Sequence, residues 1–309
     1  MTSYIMRRIG SMVPVVFGVI TAVFLLVHMI PGDPVEIMLG ETARPAQREE
    51  LRKALKLDRP LYEQYLSYLQ GLARGDLGTS IRSGRPVLDE ILSRFPATLE
   101  LALASIVVAG LISFPLGIIG AIKKDTIADG ASLFFSLIGL SLPNFWLGPL
   151  LILLFSIKLN IFPVAGRGGL SHLVLPAVTM GMGMAAILTR LLRSSLLDEF
   201  GQDYVKTALS KGIPRRRVLL VHVLKNSMIP VLTVMGLQFG ALLAGSIITE
   251  TIFSWPGIGR LTISAINNRD YPLVQGCVLA IALFYVLVNL ITDLAYALFD
   301  PRIRYSRRD

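Results

Sequence analysis

Six stretches of this chain are apolar for about twenty residues or more, roughly Arg8–Ile30, Leu99–Ile122, Ala131–Ile157, Leu173–Leu192, Ser227–Ile248 and Leu273–Phe299. That is the length an α-helix needs to cross a hydrocarbon core ~30 Å thick. Backbone N–H and C=O groups find no water there, so a crossing segment must be a helix or a strand of a closed barrel. The alternation of a barrel strand is absent, and the runs predict six transmembrane helices in an all-α membrane protein. Charge content agrees: 17% of residues are Asp, Glu, Lys or Arg, against ~25% in soluble domains.

Arg7 and Arg8 precede the first apolar run, as basic residues precede the core of a signal peptide, but the run is too long for such a core. No small-x-small cleavage site comes after it, and it reads as an uncleaved first helix. The net charge of +9 does not point to nucleic acid, because the basic residues sit at the ends of apolar runs. They orient the chain instead. With the N-terminus in the cytoplasm, the inner segments collect Arg7, Arg8, Lys123, Lys124, Arg190, Arg193, the basic residues of 206–225 and those of 302–308. The short outer loops hold only Lys158, Arg167, Arg260 and Arg269. Lysine and arginine favour the cytoplasmic side, so both termini are predicted inside; long segments such as 31–96 translocate regardless of charge. The predicted organisation is a first helix in 1–30, an outer helical segment in 31–96, a five-helix core in 97–299 with an inner loop at 194–226, and an inner tail at 300–309.

In the outer segment, Ala46–Leu57 and Leu61–Leu72 have helical patterns. Leu51, Ala54 and Leu55 share a face of the first, and Tyr62, Tyr65, Leu66 and Leu69 a face of the second. Together they suggest a compact cap over the outer mouth.

One cysteine, Cys277, rules out an internal disulfide and a thiolate metal site. His28, His172 and His222 are far apart, so no metal ligand set is predicted. Pro143 and Pro149 flank Asn144 in the third run, and predict a kink that is either structural or lines a path. Gly236 and Gly240 form a G-x-x-x-G in the fifth run, the spacing of close helix packing, or of a pore lined by backbone. Gln238 between them is a candidate polar group of a path, with Asn144. Gly181-Met-Gly183-Met-Ala-Ala186 matches a dinucleotide fingerprint only superficially, since no strand precedes it. Asn289 and Asp293 lie one turn apart in the last run. A carboxylate in lipid needs a partner, and an ion pair with an arginine of the fourth run is favoured over a proton relay.

Between the fourth and fifth runs the chain reads Asp203-Tyr-Val-Lys-Thr-Ala-Leu-Ser-Lys-Gly-Ile-Pro-Arg-Arg-Arg217. Tyr204 with Ala208, and Val205 with Leu209, give a short helix an apolar stripe. Gly212 is a helix stop and Pro214 follows it. Arg215, Arg216 and Arg217 form a basic knuckle suited to acidic lipid head groups or to an acidic protein surface. The loop reads as a membrane-surface helix or as a grip for a soluble partner.

This segment resembles the cytoplasmic coupling loop of ABC importer permeases, in the variant of the dipeptide, oligopeptide and nickel branch. Tyr204, Val205, Thr207, Ala208, Lys211, Gly212, His222, Leu224, Asn226 and Pro230 match that variant. The resemblance extends along the chain through His28–Pro34, Leu57–Tyr65, Gly75–Ser80, Glu250–Leu261, Arg269–Gly276 and Asp300–Arg304. It implies the type I importer permease fold and half of a translocation path for peptides or a related solute such as glutathione. It also implies a second, homologous permease subunit, two ABC ATPases bound at the inner loops, and an extracytoplasmic substrate-binding protein, all at a bacterial or archaeal cytoplasmic membrane. ATP and Mg would belong to the ATPases, with no cofactor on this subunit. Lys206 stands where the broader pattern has Glu, which makes Asp203 the substitute candidate for an acidic contact. The chain carries no Walker-type phosphate loop and no visible nucleophile–base set, so it is not expected to be an enzyme. An ion-gradient-driven secondary transporter is the alternative; it would show embedded charges and repeated broken helices.

Overall fold

The computed structural model describes residues 2–29, 35, 44–54 and 57–299. Among these the architecture is helical throughout, with one isolated β-bridge between Thr79 and Pro86. We number the helices α1 (Thr2–Met29), α2 (Pro45–Ala54), α3 (Leu61–Ala73), α4 (Val87–Ile122), α5 (Ile127–Ser141) and α6, which runs over Asn144–Leu151 and continues as a π-helical turn at Ile152–Lys158. Then come α7 (Leu170–Phe200) and α8 (Asp203–Ser210). Helix α9 starts at Arg215–Arg217, passes through a π-helical stretch at Val218–Val223 and continues over Leu224–Ile252. Helices α10 (Ile258–Asn267) and α11 (Tyr271–Phe299) complete the set.

Among the described residues, four helices are long and apolar enough to cross a membrane: α4, α7, α9 and α11. Helices α5 and α6 meet the same test only as a sharply bent pair, the geometry of a broken span or of a re-entrant loop. The apolar stretch of α1 at Gly10–Leu25 is shorter.

Two elements differ from the sequence expectation. Helix α4 begins at Val87 rather than near Leu99, and runs without a break across residue 96. Its first turns are too polar to register as a span, yet Val87 and Ile91 lie one turn apart on a face buried against Leu273, Val274 and Cys277 of α11. Asp89 and Glu90 in the first turn complement the positive end of the helix. The third apolar run is not one kinked helix. It breaks into α5 and α6 with a bend of 104°. Leu142 and Pro143 are extended at the break, as expected of a proline and the residue before it. Pro149 lies inside α6, just before the π-helical turn.

The core forms where α7 is enclosed. Leu188, Leu192 and Leu196 of α7 are fully buried, together with Ala109 of α4 and Val223 and Val231 of α9. Small residues bring the helices close. A Cβ at Gly181 of α7 would stand 2.7 Å from the Ser105 carbonyl of α4, and one at Gly117 of α4 would stand 3.1 Å from Leu192. Gly236 and Gly240 of α9 face α11: a Cβ at Gly236 would collide with Thr292, and one at Gly240 would meet the Tyr285 ring at 3.1 Å. Helix packing is therefore the role of the G-x-x-x-G.

Between the first and second apolar runs, α3 lies against α1. The Tyr65 and Thr21 hydroxyls are 2.6 Å apart, and His28 Nε2 is 3.2 Å from Gln64 Oε1. Phe24 stacks with Tyr68 at 5.9 Å between ring centroids and tilts against Tyr65 at 5.1 Å. The face used is that of Tyr65 and Tyr68, while Tyr62 and Leu66 stay more than half exposed. Burial, with a smaller contribution from Tyr65, pushes the Tyr68 hydroxyl up to about 12. Of the predicted face of α2, the side chains of Leu51 and Ala54 and the whole of Leu55 fall outside what is described, as do most of His28–Pro34 and all of the tail at 300–309.

Candidate functional site

At one end of the bundle the chain leaves α7, turns at Gly201 and Gln202, and forms the two-turn helix α8. Gly212 adopts φ +78°, the left-handed geometry that ends a helix at little cost for glycine. The Ile213 N–H returns to the Ala208 carbonyl at 3.3 Å, and the Gly212 N–H to that of Leu209 at 2.9 Å. The chain can then re-enter a helix at once, behind Pro214.

Helix α8 is docked, not dangling. Val205 is 3% exposed and joins the core cluster with Leu196, Val218, Leu219 and Val223; Ala208 and Ile213 pack beside it. Leu209, on the predicted apolar stripe, remains 40% exposed. The Tyr204 hydroxyl donates to Glu199 Oε2 at the end of α7 and accepts from Asn226 Nδ2 of α9 at 3.2 Å. One side chain thus joins three helices. Burial and the Glu199 carboxylate hold the Tyr204 hydroxyl above its ordinary range. Asp203, Lys206, Thr207, Lys211, Arg215, Arg216 and Arg217 are all exposed. Lys206 Nζ pairs with Asp203 Oδ1 at 2.8 Å, so the candidate acid is already matched to the lysine that replaces the pattern's glutamate.

Elsewhere in the bundle the structure brings Asn144 and Gln238 together. Both line one cleft of about 250 Å³, with Leu140, Met180, Met184 and Leu242. The break before α6 places Asn144 at a helix start. Gln238 sits two residues from each packing glycine, which turns it to the face of α9 opposite α11. Polar amides in an apolar, thioether-lined cleft can accept and donate hydrogen bonds to a polar solute while the methionines adapt to its shape.

Three buried acids were not given roles by the sequence reading. Asp129 of α5 is bound by Arg193 of α7 through two hydrogen bonds of 2.6 Å, Nε to Oδ1 and Nη2 to Oδ2. The Asp125 N–H adds a third at 3.1 Å. Glu250 of α9 is fully buried. Its carboxylate accepts from Thr98 of α4 at 2.8 Å, from Ser246 at 3.0 Å and from the Arg260 N–H at 2.9 Å, capping the start of α10. Thr98 in turn accepts the Ile258 N–H at 2.8 Å, and Trp255 donates to the Ala97 carbonyl at 2.7 Å. Asp270 accepts from Ser80 Oγ and from the Ile81 and Arg82 N–H groups at 2.5, 3.1 and 3.3 Å, and from the Leu273 N–H at the start of α11. A signal was present for Glu250, which lies in an apolar run where an acid needs partners; Asp129 and Asp270 follow charged and polar residues and carried none. The ion pair expected for Asp293 cannot be placed, since that side chain lies outside the described residues; Arg193 is taken by Asp129.

Among the described residues the chain is an all-helical bundle with membrane-length apolar helices and a short amphipathic helix docked at one end. The chain belongs to the family described as the binding-protein-dependent transport system inner membrane component, which matches residues 113–305; the N-terminal component of the same systems matches residues 1–102. It is 42% identical to the dipeptide transport system permease protein DppB of Escherichia coli K12 and 44% identical to the di/tripeptide permease DppB of Pseudomonas aeruginosa UCBPP-PA14. It is 43% identical to the glutathione transport system permease protein GsiC of E. coli K12. Each match spans 99% of this chain and 100% of the relative. Among solved structures, an inward-facing form of the MetNI methionine ABC transporter aligns with a TM-score of 0.57 at 15% identity, over 68% of this chain and 96% of its own. A second crystal form of that transporter gives 0.54 at 14% identity, over 69% and 97%. These share the fold, that of type I ABC importer permeases. The protein is a multi-pass inner-membrane permease of an ABC importer.

Proposed function

We propose that this chain forms half of the translocation path of an ATP-driven importer of short peptides or glutathione. The observation that carries the substrate class is full-length identity of 42–44% to permeases named for dipeptides, di/tripeptides and glutathione. In this reading the membrane is crossed six times, with α1 as the first span and the α5–α6 pair as the third. Both termini and α8 face the cytoplasm. A second permease of similar fold completes the path, and an extracytoplasmic binding protein delivers the solute. Two ATPases bring ATP and Mg, one of them docking on α8.

The geometry supports a division of labour. Val205 and Tyr204 fix α8 to the ends of α7 and α9, so a push on α8 is delivered to the spans rather than absorbed by a loose loop. Asp203, Lys206, Thr207 and Lys211 form the exposed face offered to the ATPase, and Arg215, Arg216 and Arg217 lie beside it. The cleft at Asn144 and Gln238 is where the solute passes.

The test is uptake by the reconstituted importer in proteoliposomes, with labelled dipeptide, glutathione and a nickel chelate as alternative solutes. Uptake of a peptide or glutathione that requires ATP and survives a protonophore is the expected result. Uptake driven by an ion gradient without ATP would instead establish the secondary-transporter alternative.

A further inference from the structure

Beside α8 lies a second cavity, a groove of about 460 Å³. Its walls are Ala121 and Ile122 at the end of α4, Phe200 at the end of α7, Val205 and Leu209 of α8, and Val218 and Leu219 of α9. Arg215 and Arg216 complete the lining. Neither guanidinium forms an ion pair with a described residue, and both are exposed. The groove is therefore apolar apart from two adjacent cationic side chains. Ile122 and Leu209 on its rim are 55% and 40% exposed.

We infer that this groove binds an anionic phospholipid of the inner leaflet, its phosphate between Arg215 and Arg216 and one acyl chain along Ile122, Phe200, Leu209 and Val218. This rests on the proposed orientation, which places α8 at the cytoplasmic face. The charge complementarity is direct. Guanidinium groups match phosphate oxygens in a two-pronged geometry, and the cytoplasmic leaflet is the anionic one. An acyl chain removes from water the apolar walls that the protein leaves open. Ala121 and Ile122 of its lining are the last residues of the apolar helix α4, so in the proposed orientation a lipid would enter the groove from the bilayer without leaving its leaflet. A seated lipid would touch Val205 and Leu209 of α8 and residues of α4, α7 and α9 at once. It would stiffen the joint through which α8 moves the spans.

Arg217 provides the control, since it is equally basic and does not line the groove. The importer complex, purified in nanodiscs of phosphatidylcholine with ~30% phosphatidylglycerol, is released into native mass spectrometry and retained phosphatidylglycerol is counted. Wild type and R217Q should retain it alike. R215Q/R216Q should lose roughly 25-fold in retention, from a contribution of about fivefold per basic side chain near an anionic surface. A second variant, L209W, fills the groove and keeps both charges; it should lose the lipid as well. All substituted positions are exposed, and monodisperse elution of each variant confirms folding. Equal retention by wild type, R215Q/R216Q and L209W overturns the inference. So does retention by the permease pair that vanishes when the ATPases are bound, which would make the groove a protein-docking surface. Peptide uptake is measured on the same samples. Lipid retained without ATP-driven uptake counts against the proposed function and not against the lipid site.

Discussion

Arg193 of α7 holds Asp129 of α5 by both carboxylate oxygens, at 2.6 Å each, across 64 residues of sequence. The pair fastens the first member of the bent α5–α6 pair to the helix at the centre of the bundle. Removing one member of such a pair strands the other as a buried charge, which costs more than removing both. D129N and R193Q are each expected to lower the unfolding temperature of the detergent-solubilised protein by roughly 5 °C or more. The double variant should be less destabilised than the sum of the two. Additive losses in a thermal double-mutant cycle would show that the pair contributes nothing as a pair.

Glu250 occupies the space beside Gly257, where a Cβ would collide with its carboxylate. G257A is therefore expected to destabilise the turn into α10, and E250A to do so by leaving the Arg260 N–H and the Thr98 hydroxyl without their acceptor, at ~1–3 kcal/mol for such a loss. Because E250A also makes room for the new methyl, E250A/G257A should be no worse than E250A alone. Limited proteolysis between α9 and α10, compared across the four proteins, checks this.

Asp270 ties the loop at 80–82 to the start of α11. In D270A the Ile81 and Arg82 N–H groups lose their acceptor. Hydrogen exchange at residues 80–82 should accelerate by about 10- to 100-fold, the equivalent of ~1–3 kcal/mol, while exchange in α7 is unchanged.

The docking of α8 separates two kinds of substitution. Val205 is buried, so V205D should detach the helix and abolish ATP-driven uptake while basal ATP hydrolysis by the complex continues. Lys206 and Asp203 are an exposed pair three residues apart, and such pairs contribute little to stability. K206A should leave the unfolding temperature within ~1 °C. A fall in uptake with K206A at unchanged stability would assign the lysine to the ATPase contact.

Asn144 and Gln238 line one cleft. N144A/Q238A is expected to raise KM for uptake severalfold, since each lost hydrogen bond contributes ~0.5–1.5 kcal/mol, with expression and thermal stability preserved. An unchanged KM would remove the cleft from the path.

Much of this molecule was legible from the chain. The bilayer leaves backbone groups no partner but each other, so apolar length translates directly into helices. The stop at Gly212 was legible because left-handed geometry selects glycine, and the paired glycines at 236 and 240 because only small residues allow close approach. The first turns of α4 were not legible, since they are too polar to read as a span and are held by packing on α11. The depth of the break at Pro143 was hidden too: a proline permits anything from a kink to a separation, and neighbouring helices set the angle.

The sequence by itself determined a helical membrane protein with a short amphipathic helix between its fourth and fifth apolar runs, because those properties follow from local composition and period; that it is a permease rests on its likeness to known permeases. Only the tertiary structure decided which groups meet. Arg193 chooses Asp129, Thr98 reaches Glu250 across 152 residues, and Asn144 and Gln238 share a cleft. Each of these depends on the crossing and rotation of packed helices, which side-chain interlocking along their whole length sets and no local signal contains.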